Sequence, residues 1–186
     1  MRIVAGELRG RPIRAPDGVA VRPTSDRARG AIFNILEHAT WSEGVHARRA
    51  VDLFAGSGAL GLEALSRGAA ACLFVDLAET SLAAVRHNVS AFGLEARARL
   101  LRQDATRLAR RPDTDPGFDL AFLDPPYAKD LAAPALMALR SGGWLADGAV
   151  AVLEQGAGEP APELPGFEPL DQRRYGAAQV VFLRVV

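Results

Sequence analysis

A single cysteine, Cys72, stands in a chain of 186 residues, so no internal disulfide can form. A disulfide-stapled secreted scaffold is thereby excluded, and the chemistry fits a reducing, cytoplasmic compartment. Cys72 lies in the apolar run Ala71–Val75, the place of a buried structural thiol rather than a nucleophile. Long apolar runs are missing as well. No stretch reaches the roughly 18 residues a membrane-spanning helix needs, and Met1–Glu7 lacks the apolar core of a secretory signal. Histidine is scarce, and His38, His46 and His87 are scattered without ligand spacing, so no metal site is expected. Trp41 and Trp144 are expected in packing roles. No Ser/His/Asp arrangement, internal repeat or low-complexity segment is legible. Lysine is nearly absent: Lys129 alone accompanies the arginines, and it suits a phosphate contact or an exposed helix start equally.

What is present is ordinary in amount and uneven in placement. Hydrophobic residues make up 49% of the chain and net charge is zero, which suits one α/β domain with a small appendage. Residues 1–30 carry seven arginines against three acids, leaving the remainder net acidic. A basic arm on a mildly acidic body suits a polyanionic partner, although a solvated surface strand accounts for the charge as well.

Taken in order, Arg2–Ile13 mixes short apolar patches with glycine and arginine and reads as a small β-hairpin outside the main core. Ser25 or Asp26 caps a helix reaching about Glu37, with Ala28, Ile32, Ile35 and Leu36 as its apolar face. Strands are expected at 50–54, 72–75, 98–102, 119–123 and about 149–153, with helices from the glycine segment 55–61 to about Arg67, at about 80–92 and at about 131–140 between them. A short helix is expected after Asp104. Segments 167–173 and 179–185 flank Tyr175-Gly176 as an antiparallel hairpin. Alternating strands and helices imply a parallel, doubly wound α/β sheet, here with a reversed end.

Two stretches carry chemistry. Gly56-x-Gly58-x-x-Gly61 follows a strand and opens a helix, the context in which a glycine loop cradles a nucleotide-like cofactor. Asp76 ends the next strand, where its carboxylate can accept ribose hydroxyls. A nicotinamide dinucleotide and S-adenosylmethionine both fit these features. Asp52, inside the preceding strand, favours the second, because it can meet a cationic amino-acid group or orient the loop. Asp104 can accept from an adenine amino group or cap the short helix that follows it. The second stretch is Asp124-Pro125-Pro126-Tyr127, where a buried strand ends in an acid, two stiff prolines and a ring. Asp124 and the Pro125 carbonyl can accept hydrogen bonds from a planar amine while Tyr127 stacks on its ring. A proline-rich turn with Asp124 capping the next helix is the plainer account.

Asp52–Gly68, with Asp124-Pro125-Pro126-Tyr127, resembles a class I amino-methyltransferase. Arg22-Pro23-Thr24-Ser25-Asp26-Arg27 together with Phe33-Asn34 narrows the resemblance to the RsmD family, bacterial enzymes that methylate a guanine N2 in 16S ribosomal RNA. The resemblance runs from about Arg2 to the final hairpin. Two positions depart from the family pattern: Gly30, where glutamate is usual, and Asp76, where glutamate is frequent. The resemblance implies a Rossmann-like fold with a mostly parallel seven-stranded sheet ending in an antiparallel hairpin. It implies an RNA-contacting arm over residues 1–21, a methyltransferase domain over 22–186, and naked or assembled small-subunit RNA as substrate; a monomer is the default expectation. It further assigns S-adenosylmethionine to Asp52, Phe54, Ala55, Gly56, Ser57, Gly58, Asp76, Asp104 and Ala105. Catalysis falls to Asp124, Pro125, Pro126 and Tyr127, and RNA contact to Arg2, Arg9, Arg11, Arg14 and Arg22. Open alternatives are an adenine-N6 DNA methyltransferase, a glutamine-modifying methyltransferase, a nicotinamide oxidoreductase and a non-catalytic RNA-binding module.

Overall fold

Ser25 opens the first helix: its side chain accepts the Ala28 N–H, one of the donors a helix start leaves unpaired. The computed structural model describes residues 1–16, 25–126 and 130–186. In chain order the elements are α1 (Asp26–His38), β1 (Arg49–Leu53), α2 (Ala59–Ser66), β2 (Ala71–Asp76), α3 (Glu79–Phe92), β3 (Ala98–Arg102), β4 (Phe118–Leu123), α4 (Ala132–Ser141), β5 (Leu145–Gly156), β6 (Phe167–Tyr175) and β7 (Ala178–Val185). One sheet takes the strands in the order β3-β2-β1-β4-β5-β7-β6. The first five run parallel, whereas β7 is antiparallel to both β5 and β6.

Alternate residues of the central strands feed opposite layers, as the two-residue period of a strand requires. Phe74, Phe122, Val152 and Phe182 pack on one face with Phe33 and Leu36 of α1, Leu62 and Leu65 of α2, and Val85 and Val89 of α3. Leu53, Val75, Leu123, Leu153 and Leu183 meet Leu136 and Leu139 of α4 and Trp144 on the other. Both faces are covered, so the strands read as near-continuous apolar runs. The two tryptophans pack as expected: Trp144 stacks on Phe118 at 6.2 Å and donates to the Ala109 carbonyl, and Trp41 lies 5.4 Å from Phe182.

The amino-terminal arm differs from the reading that set it outside the core. Its antiparallel pairing rests on one bridge, Arg2 to Pro12. Ile3 and Ile13 are buried among the residues of α1, α2 and α3. What docks it is Glu63, fully buried on α2, whose carboxylate accepts the Val4 and Ala5 N–H groups at 2.8 and 2.9 Å. The same carboxylate takes Arg29 Nε of α1 at 3.3 Å and Arg67 Nε at 2.9 Å. Arg29 in turn donates to the Arg2 carbonyl. Ser66, one turn on, donates to the Ala5 carbonyl and accepts from the Leu8 N–H. Gly30 belongs to this contact, because a Cβ there would lie 3.2 Å from the Val4 side chain.

Gly6 is the tightest point of the dock. It sits at φ +83°, and a Cβ would fall 1.9 Å from the Ser66 carbonyl oxygen. Gly6→Ala is therefore expected to lower the free energy of unfolding by about 1–3 kcal/mol. Urea titration of the two proteins measures it, and an unchanged midpoint would refute this docking.

Candidate active site

The carboxyl ends of β1, β2, β3 and β4 lie side by side. Leu53 is in register with Val75 on one side and Leu123 on the other, and Asp76 with Arg102. In open α/β sheets ligands bind outside this edge, where strand order reverses; the reversal here falls between β1 and β4. The loop Phe54–Gly58 and the carboxylates Asp76, Asp104 and Asp124 all follow directly from these strand ends.

The loop is conformationally unusual. Phe54, Gly56 and Gly58 have φ of 57°, 56° and 78°. The non-glycine among them costs on the order of 1–3 kcal/mol, held by its surroundings. Around Gly56 a Cβ would meet nothing nearer than the Phe54 carbonyl at 3.8 Å, so a ligand has room to approach that backbone. Gly61 serves packing instead: a Cβ there would lie 2.4 Å from the Phe74 ring and 2.7 Å from the Cys72 sulfur.

Three side chains pin the loop. Asp76 Oδ2 accepts the Gly56 N–H at 2.9 Å, while its Oδ1 accepts that of Ala78. Asp52 Oδ2 accepts the Gly61 N–H at 2.9 Å, tying the strand to the first turn of α2. Asn88 of α3 donates to the Ser57 carbonyl at 3.1 Å. Ala55, buried, continues the pairing beyond β1 by donating to the Val75 carbonyl, and Ser57 Oγ lies 3.9 Å from the Met1 sulfur. The loop thus presents backbone at a helix start with an acid on either flank. That fits the glycosidic and amino-acid parts of S-adenosylmethionine, since a carboxylate has about four acceptor positions and Asp76 retains capacity for ribose hydroxyls.

Asp104 Oδ1 accepts both the backbone N–H and the hydroxyl of Thr106, at 2.9 and 2.7 Å, and these bonds hold its carboxyl below the usual range. It therefore caps the 3-10 turn Ala105–Arg107, with Ala105 buried beneath it. The N-cap of α4 is Leu131, so Asp124 is not the cap of that helix. Asp124 is half-buried, Pro125 buried and Pro126 exposed. Tyr127, Lys129 and Arg22 lie outside the described residues. Arg2, Arg9, Arg11 and Arg14 are all exposed on the arm, with Arg11 stacked over Phe92 at 5.0 Å.

Sequence reasoning missed Leu77, a large apolar side chain 63% exposed immediately after Asp76. It also missed Asn88, whose place on α3 gives no motif. An exposed leucine directly after a strand-ending acid is the signal that marks Leu77. A cleft of about 200 Å³ between Arg48, Asp119, Asp147 and Arg184 opens at the opposite edge of the sheet, away from these groups.

A parallel β3-β2-β1-β4-β5 core with an antiparallel β7 slotted before β6, a glycine loop and an acid-proline corner define a Rossmann-like class I methyltransferase. The uniform 3-2-1-4-5-6 order of dinucleotide-binding sheets is not the one found. The chain belongs to the family described as "Conserved hypothetical protein 95", whose model matches residues 1–184 and which is the RsmD family of ribosomal RNA small subunit methyltransferases. It is 32% identical over 182 residues to "Ribosomal RNA small subunit methyltransferase D" of Escherichia coli, covering 98% of this chain and 87% of that one. With "Putative rRNA methyltransferase YlbH" of Bacillus subtilis it shares 40% identity over 140 residues, 75% of this chain and 73% of the other. The solved structure "Putative methyltransferase yhhF from Escherichia coli" superposes with a TM-score of 0.83 at 29% identity, covering 100% of this chain and 97% of that one. The protein is an enzyme of the methyltransferase class, so neither the oxidoreductase nor the non-catalytic alternative stands.

Asp52 supplies a pH test. Burial, reinforced by the charges of Asp124 and Asp76, pushes its carboxyl well above the ordinary aspartate value, although the Gly61 N–H opposes the shift. The folded protein thus keeps a proton that the unfolded chain sheds near pH 4, and stability from this group declines as pH rises through that window. Asp52→Asn retains the acceptor and removes the ionisation. The stability of the variant minus that of the wild type should grow from about pH 4 toward neutrality, measured by denaturant titration across pH. A constant difference would show that Asp52 is not shifted.

Proposed function

We propose that this chain transfers a methyl group from S-adenosylmethionine to the exocyclic N2 of a guanine in 16S ribosomal RNA. The observation that carries it is the placement of Asp124-Pro125 after β4, directly beside the glycine loop after β1, since Leu53 and Leu123 are paired neighbours. Names of relatives that specify ribosomal RNA of the small subunit support the substrate class.

S-adenosylmethionine, when bound, supplies a methyl already activated by its sulfonium, so most of the chain's work is positioning for in-line displacement. The glycine loop and Asp76 hold the donor end. Asp52 fixes the start of α2, and its role is orientation of the loop rather than direct contact. An exocyclic amine is a poor nucleophile because its lone pair is delocalised into the ring. Asp124 and the Pro125 carbonyl accept its two hydrogens, which localises the lone pair toward the methyl. Asp124 then takes the proton that the nitrogen sheds on gaining the methyl as its second carbon substituent, while the donor's sulfonium would leave as a neutral thioether. Tyr127 is assigned to stacking, worth about 1–3 kcal/mol in base–aromatic contacts, on a base that is unpaired or flipped out. The arm over residues 1–21 meets the RNA backbone through Arg2, Arg9, Arg11 and Arg14, with Arg22 just beyond it, and the enzyme works as a monomer in the cytoplasm. Among the described residues no helix is long and apolar enough to cross a membrane.

Labelled methyl transfer to unmodified 16S RNA, offered naked and as assembled particles beside DNA and total protein, tests the reading. Label should fall on one guanine, and Asp124→Ala should lower turnover by about 100-fold or more while cofactor affinity changes little. Label on DNA or protein would overturn the substrate, and unchanged turnover would overturn the role of Asp124.

Removing residues 1–14 would strip Ile3 and Ile13 from the core, so the arm is better tested through its charges. Arg9→Gln should reduce the slope of log affinity against log salt by about 1 unit. Thermal stability measured in parallel should be unaltered, and an unaltered salt slope would count against the arm as RNA contact.

A further inference from the structure

Asn88 is 1% exposed in the middle of α3 and spends its whole amide on two distant segments. Its Oδ1 accepts the Arg14 N–H at 2.9 Å, and its Nδ2 donates to the Arg14 carbonyl at 2.9 Å. The same Nδ2 donates to the Ser57 carbonyl at 3.1 Å. The first pair grips the arm as a neighbouring strand would; the third bond grips the glycine loop. The two segments also approach where Ser57 Oγ meets the Met1 sulfur at 3.9 Å. Beside that direct contact, Asn88 is a buried side chain whose described bonds reach both arm and loop. Glu63 and Ser66, which hold the arm's first eight residues, bond to no loop atom in the bonds described.

We infer that Asn88 is a positioning residue that couples RNA binding on the arm to cofactor binding on the glycine loop. This rests on the proposed function, in which the arm meets RNA and the loop meets the methyl donor. A ligand seated on the loop orders the Ser57 peptide, which fixes the amide plane of Asn88 and with it both backbone bonds to Arg14. RNA held by the arm orders the same amide from the other side. Each ligand thereby spares the second the cost of ordering the shared group, so the two bind with positive cooperativity. By linkage the factor is the same in both directions.

The probes are S-adenosylhomocysteine, which has no methyl to transfer, and a 16S RNA transcript. Each dissociation constant is measured with and without a saturating amount of the other. In the wild type each ligand should tighten the other by the same factor, about five-fold or more. Asn88→Ala removes all three bonds. Asn88→Asp keeps the volume and the acceptor for Arg14 but sets an oxygen against two carbonyls, so it serves where the alanine variant fails to fold. Either change should bring the factor close to one. Ser66→Ala loosens the arm at its other end and should weaken RNA binding while leaving the factor intact. A wild-type factor of one, a wild-type factor kept by the Asn88 variants, or equal loss in Ser66→Ala would each overturn the inference. Failure of the wild type to bind one of the probes would overturn the functional reading beneath it instead.

Discussion

A single buried carboxylate sets the relation between the arm, the first helix and the sheet. Glu63 stands on α2 with four donors around it, two of them backbone N–H groups of the arm and two of them arginines. An unpaired charge in such a place would be untenable, and removing one partner of a buried pair costs about 3–5 kcal/mol. The site is satisfied only when residues from three parts of the chain arrive together. Arg67 adds a contact over the Phe33 ring at 5.0 Å and an ion pair with Glu37, so α1 is fixed against α2 by charge as well as by packing. The body beneath the arm is then a rigid platform.

The edge at the carboxyl ends of the strands is built on a related principle. Asp52, Asp76 and Asp104 are each anchored by a backbone N–H group. Asp76 and Asp52 hold the two ends of the glycine segment, so the strained φ of Phe54 is distributed over a braced turn. Preorganisation of this kind lowers what a ligand must spend on ordering. Burial, reinforced by the charges of Asp124 and Asp76, also raises the Asp52 carboxyl well above the ordinary aspartate value.

Much of this was legible from sequence, for reasons that differ by element. Ala98–Arg102 coincides residue for residue with β3, and Ser25 caps α1, because breakers and a capping hydroxyl bound those segments sharply. The start of β5 was not legible: Leu145–Gly148 contains Asp147 and a glycine at φ 74°, and its pairing with β4 shifts register between Phe118 and Leu120. The arm was misplaced because its apolar residues come in patches too short to show a period, and because its binding partner lies 58 or 59 positions along the chain. Asp104 shows the limit of motif reading, since strand-end position suits a ligand contact and a cap alike; the two bonds from Thr106 establish the cap. Asn88 gave no signal because its meaning is the coincidence of two remote backbones.

The place of β7 bears on how the protein is made. The last strand in sequence fills an interior slot between β5 and β6, so the edge of β5 stays open until residues 178–185 have left the ribosome. Until then the nascent chain displays an apolar, unpaired strand whose natural partner has not been synthesised, and such edges recruit foreign strands. The first half, with its arm clamped by Glu63, can consolidate during translation, whereas closure of the second half waits for the terminus. A chain without β7 would leave β5 and β6 with no strand to join them in one sheet.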